Sequence, residues 1–243
     1  MSLAKEIAGW IKKKVKQAKA EGVVIGLSGG IDSSCVAVLS KMALGSNVLG
    51  LILPCQSDSQ DERLARLLAD KFDIKVEKKT LDPVYEKLKE TLPKAGKLAM
   101  VNLKPRLRML TLYYFANKMN YLVAGCGNKS EITVGYFTKY GDGGADIFPL
   151  GGLLKTEVRK LAKELGIPRE IIERAPTAGL WQGQTDESEM GITYEDLDKA
   201  IIAIEKGKAR SLFSQEIVAK VKNLIRVSDH KRLPIPIYEK GRS

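Results

Sequence analysis

The chain has 243 residues, 44% hydrophobic and 28% charged, and its 40 Lys plus Arg against 29 Asp plus Glu give a net charge of +11. That length can bury a real core in one domain or at most two, and the balance is that of an ordinary soluble globular protein, read here as a single domain over residues 1–243. No apolar run approaches the roughly 20 residues that span a bilayer, and the surplus of positive charge suits polyanions without the clustering or interleaved aromatics of a nucleic-acid surface.

Taken in chain order, Leu3, Ile7, Ile11 and Val15 recur every four residues and predict an amphipathic helix ending near Gly22. Residues 23–27 form a β-branched apolar run, the profile of a buried parallel strand. A polar loop follows, and a helix is expected over 35–44. A second strand is expected over 48–53, a helix over 60–71 and a third, more exposed strand over 74–78. Helices are expected over 83–92 and 97–119, then a fourth strand over 121–124. The alternation is that of a doubly wound parallel α/β sheet with helices on both faces. Residues 135–153 are Gly-rich without periodicity, which suits a functional loop. A helix over 156–165 stops at Gly166 and Pro168, residues 176–191 read as irregular, and helices close the chain over 194–206 and 212–227.

Cys35, Cys55 and Cys126 are odd in number and far apart with no CxxC pair, which argues against a disulfide framework, a zinc site and a resolving-cysteine pair. The N-terminus has no apolar block before a small-residue cleavage site, and the expectation is a cytoplasmic protein with reduced thiols and neither a membrane nor a nucleic acid as partner.

The chemistry concentrates in Gly26-Leu27-Ser28-Gly29-Gly30-Ile31-Asp32-Ser33-Ser34, where a strand hands over to a helix. Free backbone N–H groups and the helix dipole favour an anion at such a junction. Gly29 and Gly30 let the backbone approach a phosphate closely, the serines add hydroxyl donors, and Asp32 makes sense there if it holds Mg²⁺. A Walker A loop would need Gly-Lys-Ser/Thr, and the Rossmann GxGxxG is absent. Gly26-Leu27-Ser28-Gly29-Gly30 also fits the GxSxG elbow of serine hydrolases. That reading fails on context: no oxyanion loop precedes it, and the single histidine, His230, sits in a basic tail beside Lys231 and Arg232.

The SGGxDS loop resembles the pyrophosphate loop of the N-type ATP pyrophosphatases, which split ATP into AMP and pyrophosphate while adenylating a substrate. Further segments are similar to one family among them, the NAD⁺ synthetases. These are Asn102-Leu103-Lys104-Pro105-Arg106-Leu107-Arg108-Met109, then Gly125-Cys126-Gly127-Asn128-Lys129-Ser130-Glu131, then residues 135–146, Leu154-Lys155-Thr156-Glu157-Val158, Pro176-Thr177-Ala178-Gly179-Leu180-Trp181 and the closing His230-Lys231-Arg232. The resemblance runs from the first strand to the tail.

It implies roles residue by residue. Gly26, Leu27, Ser28, Gly29, Gly30, Ile31, Asp32 and Ser33 would hold the ATP phosphates, with Asp32 and Glu131 on Mg²⁺. Lys155 would meet the phosphates, and Thr177 would reach ATP from a separate loop. Position 126, usually Thr in relatives, is Cys here, so only a thiol or backbone contact would remain. Deamido-NAD would lie against Arg106, Lys139, Asp146, His230 and Lys231. No protein nucleophile is implied. The family further implies a homodimer and an adenylation of deamido-NAD followed by attack of ammonia. Glutamine-dependent relatives carry an extra amidohydrolase domain, whereas here only one helix precedes the first strand. A tRNA-modifying adenylase is the alternative, but it would usually add an RNA-binding domain or a catalytic cysteine pair.

Overall fold

The computed structural model describes residues 2–181, 183–207 and 215–239. Four short strands, β1 (Gly22–Gly26), β2 (Val48–Ile52), β3 (Lys75–Lys78) and β4 (Tyr121–Val123), pair in parallel in the order β3-β2-β1-β4. The register sets Val23 against both Val48 and Leu122, so β1 is central with a neighbour on each side.

Around the sheet lie α1 (Leu3–Gln17), α2 (Ile31–Leu44), α3 (Ser59–Phe72), α4 (Asp82–Thr91), α5 (Lys97–Val101) and α6 (Leu103–Met119). Beyond β4 come α7 (Lys129–Val134), α8 (Lys155–Glu164), α9 (Arg169–Ile172), α10 (Asp186–Met190) and α11 (Tyr194–Glu205), then α12 (Gln215–Val227) and α13 (Asp229–Arg232).

Side chains alternate across a strand, and that alternation divides the core. Val23, Ile25, Val48 and Ile52 pack with α1, α2, α3 and α8 on one face. Val24, Leu49, Leu51 and Val123 pack with α4 and α6 on the other. Each buried Val, Leu or Ile contributes about 1.5–3 kcal/mol relative to exposure, enough to fix both faces. The expected doubly wound sheet is therefore the observed one. A third cluster joins Val134, Leu154, Tyr194, Leu197, Ile201 and Val221, and it seats α7, α11 and α12 beside the sheet's carboxyl edge.

Differences from the expected elements have local causes. α2 begins at Ile31 rather than at residue 35, because the Ser33 and Ser34 hydroxyls both donate to the Gly30 carbonyl, at 3.0 and 2.8 Å, and are folded into the first turn. The helix expected over 97–119 is broken at Asn102. Pro105 has no N–H to offer the Val101 carbonyl and its ring would crowd that oxygen, so α6 can only start afresh. The stretch 176–191 is irregular except for α10, and the basic tail holds the helical turn α13. The last expected helix is described from Gln215; its first three residues, 212–214, lie outside the described residues.

Candidate active site

The chain turns sharply where β1 ends. Gly29 sits at φ +73°, and a Cβ there would stand 2.5 Å from the Asp61 carbonyl oxygen, so only glycine fits. Ser28 Oγ lies 3.0 Å from Ser33 Oγ and accepts the Gly30 N–H at 3.2 Å, closing a small loop over the start of α2. The Ile31, Asp32 and Ser33 amides belong to the first turn of α2, which has no intrahelical acceptors for them. The result is a cluster of donors at the positive end of a 14-residue helix.

Three sequence-distant charges meet beside that loop. The Lys155 ammonium donates to Asp32 Oδ2 at 2.5 Å and to Glu131 Oε1 at 3.0 Å. Its side chain is 2% exposed and each carboxylate 16%. Asn128 aligns both acids: its Nδ2 donates to Asp32 Oδ1 at 2.9 Å, and its Oδ1 accepts the Glu131 N–H at 3.0 Å as the cap of α7. Burial pushes the Glu131 carboxyl up, with the Lys155 charge pulling the other way. Burial alone would lower Lys155, but Asp32 and Glu131 outweigh it, so the ammonium keeps its proton.

A second ring of polar groups backs this cluster. Tyr194, fully buried at the start of α11, places its hydroxyl 3.1 Å from Glu131 Oε1 and 2.9 Å from Asp186 Oδ2. Tyr136 OH in turn donates to Glu189 at 2.8 Å and lies 3.2 Å from the other Asp186 oxygen. The Cys126 thiol points at the Gly26 carbonyl at 3.9 Å. Desolvation, then the Asp32 and Glu131 charges, push that thiol up.

The loop 26–33, Asp32, Cys126, Glu131 and Lys155 are thus brought together. Thr177 is held within its own loop, where its Oγ1 accepts the Gly179 N–H at 3.1 Å. Its loop leans on the site's other rim, where Arg174 pairs with Asp61 at 2.6 Å and the buried Lys104 donates to the Leu180 carbonyl at 2.9 Å. Residues 106, 139, 230 and 231 form a separate cluster. Arg106 Nε donates to the Lys139 carbonyl at 3.4 Å, and Lys139 Nζ donates to the His230 carbonyl. Lys231 Nζ donates to the Gly135 and Phe137 carbonyls at 2.8 and 2.9 Å. Asp146 anchors the intervening loop, accepting from Val123 N at 2.7 Å and Tyr113 OH at 3.0 Å.

Sequence reasoning gave no role to Asn128, Tyr194, Asp186 or Lys104. Asn128 and Glu131 carry the Asn-x-x-Glu spacing of a capping box, a sequence signal for the start of α7. Tyr194 carries no such signal, since an aromatic at a helix start is ordinarily core.

Across residues 3–235 the chain matches the sequence model of the NAD synthase family. It is 47% identical to an NH3-dependent NAD⁺ synthetase of Carboxydothermus hydrogenoformans, over 93% of each chain. It is 52% identical to one from Methanococcus aeolicus, over 86% of this chain and 84% of that one. A solved structure of an NMN synthetase from Francisella tularensis superposes with a TM-score of 0.91 at 37% identity, covering 99% of this chain and 100% of that one.

Proposed function

Because this chain belongs to the NAD synthase family, we propose that the meeting of loop 26–33 with Asp32, Glu131 and Lys155 is the centre at which its ATP is activated. The chain is a C–N bond-forming ligase of NAD biosynthesis, carrying out ammonia-dependent amidation of deamido-NAD to NAD⁺. A tRNA-modifying role is not favoured.

The chemistry explains the site. A carboxylate is a poor acyl donor because its leaving group would be oxide. An oxygen of the nicotinate carboxylate therefore attacks the ATP α-phosphorus, and the P–O bond to pyrophosphate breaks. The acyl adenylate then accepts the lone pair of ammonia at its carbonyl carbon. The C–O bond to AMP breaks, and the surplus ammonia proton passes to solvent. None of this needs a protein nucleophile.

The amides of Ile31, Asp32 and Ser33 and the Ser28 hydroxyl are the donors for the phosphates. Lys155 holds a positive charge at the same point, where burial strengthens it. Asp32 and Glu131 fit a divalent cation: their oxygens already converge on one cation, the Lys155 ammonium, and carboxylate oxygen is the donor that Mg²⁺ takes. When bound, Mg²⁺ would neutralise charge on the departing pyrophosphate.

Arg106, Lys139 and the tail of His230 and Lys231 border the region assigned to deamido-NAD. There the Arg106 guanidinium and the His230 ring are exposed, whereas Lys231 and Asp146 act through the loop they order. Thr177 would come to ATP from the 176–184 loop. We read the chain as one synthetase domain and as a homodimer. The exposed Leu110 and Tyr114, four residues apart on α6, support an apolar contact. No described helix is long and apolar enough to cross a membrane, and three free thiols suit the cytoplasm.

The observation that carries the site assignment is the Asp32–Lys155–Glu131 triad at the carboxyl ends of β1 and β4, from which α2 and α7 depart. Exchange of labelled pyrophosphate into ATP tests it: exchange should need deamido-NAD but not ammonia, and should fall about 10- to 100-fold in Asp32→Asn. Exchange without deamido-NAD would contradict the reading.

A further inference from the structure

α8 carries Lys155 at its first position, yet its cap residue is Leu154, which has no acceptor in its side chain. The opening N–H groups of a helix need partners, and here they come from two other helices. Lys155 N–H donates to Ser130 Oγ on α7 at 2.9 Å, and Thr156 N–H donates to Asp198 Oδ2 on α11 at 2.9 Å. The Ser130 hydroxyl donates its own proton to Asp198 Oδ1. Asp198 is 2% exposed, Ser130 is fully buried, and Asp198 has no ion pair among the described residues.

A buried carboxylate without a cation is costly unless several donors serve it. Asp198 has two, and both belong to segments that carry the site: Ser130 precedes Glu131, and Thr156 follows Lys155. The negative charge also faces the positive end of a 10-residue helix. One turn earlier on α11, Tyr194 touches Glu131 directly. From one face of α11, Tyr194 thus reaches the triad itself, and Asp198, four residues on, reaches the residues next to it, Ser130 and Thr156.

We propose that Asp198 is a positioning residue for the adenylation step, a cap supplied from outside the helix that sets the distance between Glu131 on α7 and Lys155 on α8. The proposal rests on the assignment of Glu131 and Lys155 to the nucleotide. Asn at position 198 keeps the shape but has one acceptor oxygen. If that oxygen keeps the Thr156 N–H, the amide NH₂ faces Ser130 Oγ, which already accepts from Lys155 N–H, and the hydroxyl proton loses its acceptor. The α7–α8 junction must then shift. Groups that orient the residues holding a reactive ion typically change activity 10- to 100-fold.

The test compares Asp198→Asn, Ser130→Ala and the double variant with wild type. It measures deamido-NAD-dependent pyrophosphate exchange, KM for ammonium and the thermal midpoint, with Glu131→Gln as the reference for the site itself. Expected are a 10- to 100-fold fall in exchange for Asp198→Asn with KM for ammonium unchanged, and a double variant no worse than the poorer single one, since both remove one relay. Should Asp198→Asn not fold, Ser130→Ala alone must show at least a 5-fold fall in exchange with KM for ammonium kept. Wild-type exchange per folded molecule in the variants, or strictly multiplicative losses, would overturn the brace. Full exchange in Glu131→Gln would instead sink the site assignment beneath it.

Discussion

Lys155 Nζ lies 2.5 Å from Asp32 Oδ2 across 123 residues of sequence, the tightest link between α2 and α8 at the site. The ammonium is 2% exposed and also serves Glu131, so removing it leaves two carboxylates facing each other out of water. Breaking a buried ion pair from one side typically costs about 3–5 kcal/mol. Lys155→Met should lower the thermal midpoint markedly and abolish adenylation. Added Mg²⁺ should restore more of the midpoint in the variant than it adds to wild type, because a cation is then the missing partner. A calorimetric scan with and without Mg²⁺ decides this, and equal increments in both proteins would count against the two acids forming a cation site.

Asp32→Asn and Glu131→Gln keep shape and lose charge. Each should preserve the fold and cost roughly 1.5–3 kcal/mol in transition-state stabilisation through a lost charge-assisted contact, which is about 10- to 100-fold in rate. Near-normal turnover in either purified variant removes that residue from the site.

The fold was readable because buried strands announce themselves. The runs at residues 23–27 and 48–53 are apolar at every position, as strands covered on both faces must be. What the sequence hid was polar and tertiary. Ser33 and Ser34 looked like loop but are absorbed into α2 by bonds to Gly30. Tyr194 and Asp198 sit on a helix with an ordinary apolar stripe, and only the packing of α11 onto α7 and α8 turns them toward the triad. Motif resemblance named Asp32, Glu131 and Lys155 but did not say that the lysine would lie between the acids.

Lys139 belongs to the other cluster, where its ammonium holds the His230 carbonyl and its own carbonyl receives Arg106. Lys139→Ala should therefore raise KM for deamido-NAD several-fold while KM for ATP moves little. Steady-state kinetics with each substrate varied in turn reads this out. Equal rises in both constants would assign the residue to general ordering of the loop instead.

The Cys126 thiol is pushed up by desolvation and by the Asp32 and Glu131 charges, so its thiolate stays scarce even at a pH where an ordinary thiol ionises. Because a raised pKa keeps the proton on, alkylation of Cys126 by iodoacetamide at pH 8 should run well below the rate for an exposed cysteine peptide, and ATP should not accelerate it. Peptide mapping after timed labelling measures both. Labelling as fast as the free peptide would mean that the site is open and the acids are not close to the sulfur.

Product analysis decides whether this triad activates deamido-NAD for ammonia. The purified chain is given ATP, Mg²⁺ and ammonium with either deamido-NAD or nicotinate mononucleotide, the second because one similar structure is that of an NMN synthetase. Expected are NAD⁺, AMP and pyrophosphate in equal amounts from deamido-NAD, faster as rising pH converts ammonium to ammonia, with little turnover of the mononucleotide and none when ammonia-free glutamine replaces ammonium. Release of ADP and phosphate instead of AMP and pyrophosphate, or preference for the mononucleotide, would contradict it.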